Sequence, residues 1–375
     1  MRYKILIFLP SPEVWMGGVN YYLRLANKIV EIYPSTHIYF VLKKESAALK
    51  DAVSLIEETN SVSFIFNPKI KCFEKLKSFF QGKSAIIEYF RDVYDVNLVF
   101  ESGSFYGCCK EYEDLVISWV PDLQHIFFPK NFNFFKRARR TIGFLLQKKF
   151  RKKLYFSSHD AEKSFSDIFG KATHSYYVVR FDAASKKDID TKKEKSHEIV
   201  KQFGINKPYL FFPGQLWVHK NHLFLFETMD YLIKNGLVLP YLIVLSGINN
   251  DQRNPEYSKS IENYLSKPEI KEMLIYTGQI PYHQVQNLFE NSIGLLNCSL
   301  FEGWSTIVEE AKIYNKPLIL SDIKIHREQS NNNAIFFDPN SISDFSKVLL
   351  NIDVSNYSVD YSESTFKVDL INLIE

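Results

Sequence analysis

Two carboxylates and a glycine within one short stretch offer the clearest chemistry in this chain. Residues 299–312 contain Glu302, Gly303 and Glu310. An apolar run at 293–296 predicts a buried parallel strand before the stretch, and the apolar spacing after Gly303 predicts a helix. Such junctions lie at the carboxyl ends of strands, where open α/β sheets bind ligands. Gly303 allows the backbone to come close to a ligand there.

The start of this predicted helix is an anion site. The N–H groups of Trp304, Ser305 and Thr306 have no acceptor within the helix, so we expect them to bind a phosphate. Eight helical residues separate Glu302 from Glu310 by roughly 12 Å. A hydrolase carboxylate pair needs about 5 to 9.5 Å. The spacing instead fits two hydroxyl-rich ends of one long ligand; the plain alternative is a surface helix after a glycine turn.

Length and composition bound the fold that positions these groups. The chain has 375 residues. This is enough for two domains, because a single hydrophobic core stops growing at about 250 to 300 residues. The apolar share of 46% and charged share of 24% are typical of a soluble globular protein. A net charge of +3 is too small to argue for nucleic acid. The four cysteines have neither zinc-ligand nor disulfide-framework spacing, so we expect a reducing compartment.

Alternating strand and helix patterns predict the sheets. The first apolar run predicts a strand and not an export signal, because it stops at Pro10 with no cleavage site. No run of 18 apolar residues indicates a membrane span. Runs at 38–42 and 62–66 alternate with helical stretches, which predicts a doubly wound parallel α/β sheet. Gly17 and Gly18 begin the first helix after a loop, where the plain alternative is a tight turn.

A histidine and a lysine follow strands elsewhere in the chain. The strand 117–120 leads through a turn at Asp122 to His125, which could donate or share a proton; the alternative is a structural histidine. The strand 209–212 leads to Lys220, whose point charge could bind an anion at the carboxyl ends of the strands. Beside a leaving diphosphate it would stabilise the developing charge, whereas the alternative is a surface lysine.

A basic stretch between these segments suggests a partner. Residues 136–153 contain nine basic residues and no acid, with Phe144, Leu145 and Leu146 among them. Such a stretch attracts phosphate-rich surfaces and indicates contact with an anionic membrane leaflet. A solvated helix face is the equally good alternative.

Composition also predicts the domain limits. Residues 183–198 are polar and predict a solvated linker. They separate a first domain, 1–182, from a second, 199–360, and a helix at 361–375 is expected to cross back to the first. Asp188 and Asp190 have the Asp-x-Asp spacing of a metal-binding motif, but they lie in this linker and not at the end of a strand.

The frame Phe301-Glu302-Gly303, ending in Glu310-Ala311, resembles the signature of the retaining nucleotide-sugar glycosyltransferases of family 4, also called glycosyl transferases group 1. This resemblance implies the GT-B fold, in which two Rossmann-like domains face each other across a cleft. The first domain would bind the acceptor and the second the donor. It also implies transfer of a sugar with retention of configuration.

The resemblance assigns roles to individual residues. Glu310 would hold the ribose hydroxyls, Glu302 the sugar hydroxyls, and Lys220 the diphosphate together with the N–H groups after Gly303. His125 would contact the transferred sugar, so that the catalytic residues are His125, Glu302 and Lys220. Further donor contacts are implied by position, and Asp122 orients the loop or the acceptor. These donor contacts are Gly17, Gly18, Gln215, Gly278, Gln279, Ile280, Trp304, Ser305 and Thr306.

One position departs from the family pattern. Gln215 stands where the family commonly has an arginine, so His219 or a basic residue elsewhere would have to supply the second cation. We expect no metal and no cofactor, because fixed N–H groups and lysine take the charge. The donor's own phosphate would serve as the base.

We expect a cytoplasmic enzyme that acts on a glycan or a lipid-linked acceptor in bacterial surface polysaccharide (O-antigen, capsule or lipopolysaccharide) assembly, with peripheral contact to the inner membrane face as one option. The alternatives are a nucleotide-sugar epimerase of the same fold, a phosphorylase-like enzyme, for which no cofactor lysine site was found, and a non-catalytic partner protein.

Overall fold

The structure is a computed structural model that describes residues 3–43, 61–102, 110–171, 175–180, 196–353 and 366–375. The chain divides into two compact units. The first comprises residues 1–129, 133–182 and 364–375, and the second comprises 130–132 and 183–363. The predicted linker lies outside the described residues except for its last three positions, where a helix begins at Ser196.

The described strands of the first unit form one parallel sheet. Their order is β3-β2-β1-β4-β5-β6-β7, and every pair of neighbours is parallel. The strands are β1 (Lys4–Phe8), β2 (His37–Leu42), β3 (Val62–Phe66), β4 (Leu98–Ser102), β5 (Val116–Val120), β6 (Lys153–Phe156) and β7 (Ser175–Val178).

Helices connect these strands, and one from the end of the chain joins them. The last helix packs in this unit, where the Tyr33 hydroxyl donates to Glu375 (3.1 Å) and Lys153 donates to the carbonyl of Leu373 (2.9 Å). The helices are α1 (Pro12–Ile32), α2 (Cys72–Phe80), α3 (Ala85–Tyr94), α4 (Gln124–Phe127), α5 (Phe134–Phe150) and α6 (His159–Phe169), with α15 (Phe366–Ile374) from the chain end.

The second unit repeats this arrangement with a parallel sheet in the order β10-β9-β8-β11-β12-β13. Its described strands are β8 (Tyr209–Pro213), β9 (Leu242–Ser246), β10 (Leu274–Tyr276), β11 (Gly294–Asn297), β12 (Leu318–Ser321) and β13 (Ile335–Phe337). Its helices are α7 (Ser196–Gln202), α8 (His222–Lys234), α9 (Pro255–Ser266), α10 (Pro268–Lys271), α11 (Tyr282–Asn291), α12 (Thr306–Ile313), α13 (Lys324–Ser330) and α14 (Ile342–Leu350).

Both faces of the second sheet are buried. Along β8, Leu210 and Phe212 belong to one apolar cluster, and Tyr209 and Phe211 belong to the other. Strands covered on both faces are apolar throughout, as the sequence predicted, and the two doubly wound parallel sheets are confirmed. No helix of the described residues is long and apolar enough to cross a bilayer.

Candidate functional site

The loop after β11 leads directly into α12, and one side chain binds both of its ends. The side chain of Asn297, the last residue of the strand, accepts from the Ser299 N–H (3.0 Å) and donates to the Ser305 hydroxyl (3.2 Å). Both ends of the loop are therefore tied to one buried amide. This geometry holds the residues between them, including Glu302 and Gly303, at the carboxyl end of the strand.

Glu302 is mostly buried and paired with Lys220. Its Oε1 accepts from Lys220 Nζ (2.6 Å) and from the Ser299 hydroxyl (2.7 Å), and its side chain is 9% exposed. Burial opposes its ionisation, but the charges of Lys220 and His219 and the two hydrogen bonds outweigh it and lower the pKa of Glu302 to about 2. Glu302 is therefore a carboxylate at neutral pH. Two predicted site residues 82 positions apart are in contact.

Lys220 is positioned by a strained connection between β8 and α8. It ends a 3₁₀ turn, Val218–Lys220, and the next residue, Asn221, has a φ of 62°, in the left-handed region that asparagine tolerates. The backbone N–H of Leu300 donates to the carbonyl of His219 (2.8 Å). The lysine loop and the Glu302 loop are thus joined through their backbones as well as through the ion pair.

A second cation lies against the lysine loop. The loops after β8 and β9 are in contact at Gly214 and Gly247. Position 247 must be glycine, because a Cβ there would lie 1.9 Å from the carbonyl oxygen of Gly214. Arg253 from the latter loop lies 4.8 Å from the ring centre of Trp217 and is held by Asp251 through Nε (2.8 Å). Sequence reasoning missed Arg253, because only the fold brings these loops together.

The start of α12 differs from the prediction at one residue. The N–H of Ser305 donates to Gln329 Oε1 (2.9 Å), and the amide of Gln329 donates to the carbonyl of Ser305 (3.0 Å) and to Glu309 (2.9 Å). The expectation that Ser305 offers its N–H to an anion is wrong, because this buried amide already takes it. Among the described residues, the backbone N–H groups of Trp304 and Thr306 have no acceptor.

A buried histidine from a neighbouring helix supports the loop between β11 and α12. His326 on α13 is fully buried, with Nδ1 2.9 Å from the carbonyl of Ser321 and Nε2 3.3 Å from the amide of Asn297. Burial lowers the pKa of His326 to about 4, so the ring is neutral at pH 7. No local pattern indicates this role, because a histidine five residues after a strand is compatible with many environments.

Glu310 lies on the second turn of α12 and is partly exposed. Its Oε1 accepts from the hydroxyl of Tyr282 (3.2 Å), the first residue of α11. Gly278 forms the preceding turn with a φ of 69°, and its carbonyl accepts from the N–H of Gly247 (2.8 Å). Near this turn, Gln279 is exposed and Ile280 is partly buried.

In the first unit, the loop predicted before Gly17 is largely helical. Helix α1 begins at Pro12 and is interrupted at Trp15, whose φ and ψ are −154° and 78°. The indole of Trp15 lies on Gly18, where a Cβ would be 2.5 Å from it, and stacks on Trp119 with ring centres 5.1 Å apart. Glycine is therefore required at position 18 because the Trp15 indole packs on it. The alternative given for the sequence, a tight turn, does not explain this glycine.

His125 is buried and not on an open loop. It lies in α4, is 1% exposed, and its ring centre is 5.4 Å from that of Phe144. Burial and the neighbouring charge of Arg140 lower its pKa to about 4. Asp122 accepts from the Gln124 N–H (2.9 Å) and from Arg140 (2.9 Å), so it orients this loop. The structure does not bring His125 to an exposed surface of its unit.

The basic segment is divided between the protein interior and the surface. Arg151 is fully buried and donates to Glu101 (2.9 Å) and Ser118 (3.0 Å). Phe144 packs in the core, which corrects its expected place on a membrane face. Other side chains of α5 remain exposed; these are Phe134, Phe135, Lys136, Arg137, Arg139, Ile142, Leu145 and Lys149.

Two sequence comparisons show which proteins this chain is similar to. Residues 195–352 match the family model described as glycosyl transferases group 1. O-antigen chain mannosyltransferase RfbU of Salmonella typhimurium is 23% identical over 239 residues, which cover 62% of this chain and 60% of that protein. The match thus spans less than two thirds of the relative's length.

Solved structures share the fold over the whole chain. A glycosyltransferase from Rickettsia africae is 15% identical with a TM-score of 0.68, covering 100% of this chain and 94% of that one. Anabaena Alr3699/HepE in complex with UDP and glucose is 12% identical with a TM-score of 0.68, covering 99% and 97%. WaaG, a glycosyltransferase involved in lipopolysaccharide biosynthesis, is 10% identical with a TM-score of 0.60, covering 100% and 95%. The predicted GT-B fold is confirmed.

Proposed function

We propose that this chain, whose residues 195–352 match the model of glycosyl transferases group 1, transfers a sugar from a nucleotide-sugar donor to a glycan or lipid-linked acceptor with retention of configuration. The contact between Lys220 and Glu302 at the start of α12 carries the proposal. It brings a cation, a carboxylate and a helix N-terminus together at one strand end. A diphosphate bearing a sugar needs these three groups.

The donor would rearrange this ion pair on binding. The diphosphate takes Lys220 and the N–H groups of Trp304 and Thr306, and Glu302 then turns an oxygen to the sugar hydroxyls. Ser299 keeps its hydrogen bond to Glu302 and holds the carboxylate in place. Lysine and the helix start stabilise the charge on the leaving diphosphate, so no divalent metal is needed.

Arg253 is suited to replace the arginine that the family resemblance expects at position 215. Its guanidinium rests on Trp217, three residues before Lys220, and Asp251 fixes its direction. Asp251 takes Nε and also Nη2 (3.3 Å), so a phosphate would bind at the edge of the guanidinium that carries Nη1. We propose that Arg253 and Lys220 form the two-cation site, and that Gln215 therefore does not indicate a loss of catalysis.

We place the reaction in the cytoplasm, in the assembly of a bacterial surface polysaccharide. The similarity to an O-antigen mannosyltransferase and to a glycosyltransferase of lipopolysaccharide biosynthesis supports this acceptor class. The first unit would bind the acceptor. His125 contacts the sugar only if α4 moves, because its ring is buried in this structure.

The exposed face of α5 is proposed to contact an anionic membrane. Phe134 and Phe135 are 74% and 81% exposed, and Ile142 and Leu145 continue the same face about two and three turns later. Exposed cations flank this stripe at Lys136, Arg137, Arg139 and Lys149. An amphipathic helix of this kind lies in the interface of an anionic leaflet.

Vesicle binding tests this surface. The protein should sediment with phosphatidylglycerol vesicles and not with phosphatidylcholine vesicles, and Phe134→Ser with Phe135→Ser should abolish the binding. Phe73→Ser with Phe80→Ser is the matched control, because those rings are 75% and 82% exposed on α2. Equal binding of the α5 variant and the wild type would reject the proposed surface.

Donor turnover tests the activity itself. Purified protein is incubated with UDP-glucose, UDP-galactose and GDP-mannose, with and without a lipid-linked glycan, and release of the nucleoside diphosphate is measured. We expect release with one donor and its loss in Glu302→Gln. A new sugar nucleotide formed without acceptor would favour the epimerase, and binding without any turnover would favour the non-catalytic partner.

A further inference from the structure

Tyr282 occupies a place to which neither the motif nor the family resemblance assigns a role. Gly278 turns the chain after β10, and Pro281 leads into α11, of which Tyr282 is the first residue. Its ring is 40% exposed. Its hydroxyl lies 3.2 Å from Glu310 Oε1, on the next helix along the sheet. Tyr282 therefore links the turn that holds the expected donor contacts Gly278, Gln279 and Ile280 to Glu310, the proposed ribose ligand.

This hydrogen bond has a specific consequence for Glu310. A partly exposed glutamate on a helix samples several rotamers, and fixing it on ligand binding costs entropy. The phenol donates to one carboxylate oxygen before the ligand arrives. We expect a carboxylate oriented in this way to accept from a hydroxyl pair of the ligand. Because a phenol is a neutral donor, this hydrogen bond adds no positive charge that would compete with the ligand for the carboxylate.

We propose that Tyr282 is a positioning residue of the nucleoside pocket, which orients Glu310 so that the protein selects ribonucleotides by their 2′ and 3′ hydroxyls. The proposal rests on the proposed function, because Glu310 must be the ribose ligand. It adds that part of the ribose recognition is lost when only the phenolic oxygen is removed. A side chain that merely packs against α12 would not distinguish ribose from deoxyribose.

The test uses the full chain and four probes, UDP and GDP and their 2′,3′-dideoxy forms, with dissociation constants measured by calorimetry. In the wild type the ribo form should bind more tightly. Tyr282→Phe should weaken the ribo form by about threefold to tenfold, the range of one net hydrogen bond. It should leave the dideoxy form unchanged. Tyr231→Phe, also 40% exposed in this unit, is the control and should change neither.

The outcomes separate the two proposals. A Phe variant that binds all probes like the wild type, or weakens both forms equally, overturns the role of Tyr282 and leaves the proposed function standing. A wild type that binds ribo and dideoxy forms equally overturns the ribose role of Glu310 and, with it, this proposal. Failure of both diphosphates to bind the wild type overturns the donor site as well.

Discussion

Replacing Lys220 by Met should destabilise the second unit in a way that depends on pH. Met keeps most of the lysine stem but leaves the Glu302 carboxylate without its cation. That carboxylate is 9% exposed, so it cannot recover its hydration. Removing one partner of a buried pair costs about 3 to 5 kcal/mol. We expect a loss of that order at pH 7.5.

The pKa of Glu302 gives an independent magnitude. It is lowered from its ordinary 4.5 to about 2, which corresponds to about 3 kcal/mol of stability above pH 4.5. In the wild type this contribution is lost only as the pH falls from 4.5 towards 2. Without Lys220, burial should raise the pKa of Glu302 above its value in the unfolded chain. Protonation then removes the buried unpaired charge and with it part of the loss of stability. The penalty should therefore shrink between pH 7.5 and pH 5.

Amide hydrogen exchange measures this unit separately. The protected amides of β8, at the centre of the second sheet, report the free energy of opening that unit in the full chain. Glu302→Gln is the matched control, and the double variant should recover much of the loss caused by Lys220→Met. An equal penalty at pH 7.5 and pH 5, or no recovery in the double variant, would refute the account of this pair.

Three further predictions concern residues that support the two units. Gly18→Ala should destabilise the first unit by about 1 to 3 kcal/mol, measured by urea unfolding, because the new methyl group overlaps the Trp15 indole. Arg151→Met should cost about 3 to 5 kcal/mol in the same assay, because Glu101 is left buried and unpaired. His326→Gln should flatten the decline in stability as the pH falls from 6.5 to 4, since the pKa of this buried histidine is about 4 and the neutral ring must charge on unfolding.

Matched variants decide these predictions. Gly17→Ala should be nearly neutral, since a Cβ there would be 3.6 Å from the same indole. Replacing both Arg151 by Met and Glu101 by Leu should recover much of the single-variant loss. Equal effects of the two glycine variants, no recovery in the double variant, or an unchanged pH profile in His326→Gln would each contradict the corresponding prediction.

The sheets were predictable because their strands are buried on both faces. Continuous apolar runs such as 209–212 and 293–296 predict parallel strands, and the structure places β8 and β11 at those positions within one residue at each end. The loops between them depend on contacts that no local pattern encodes. Gly247 and Gly214 approach each other from different strands, and this brings Arg253 to Trp217.

The site was predictable in part for a similar physical reason. A lysine and a glutamate after neighbouring parallel strands meet at the same sheet edge, which is why Lys220 and Glu302 are in contact. The sequence could not show that Gln329 takes the Ser305 N–H, because that amide comes from another helix. Nor could it show the burial of His125, which depends on how α5 packs.

The most direct test of the account is the contribution of the diphosphate to binding. Calorimetry compares uridine with UDP and guanosine with GDP, on the wild type and on Lys220→Met at a temperature where both are folded. We predict that the wild type prefers one diphosphate over its nucleoside, and that the variant loses about tenfold to a hundredfold of that preference, the range for a charged hydrogen bond. A preference that survives unchanged in the variant would contradict the claim that Lys220 binds the donor.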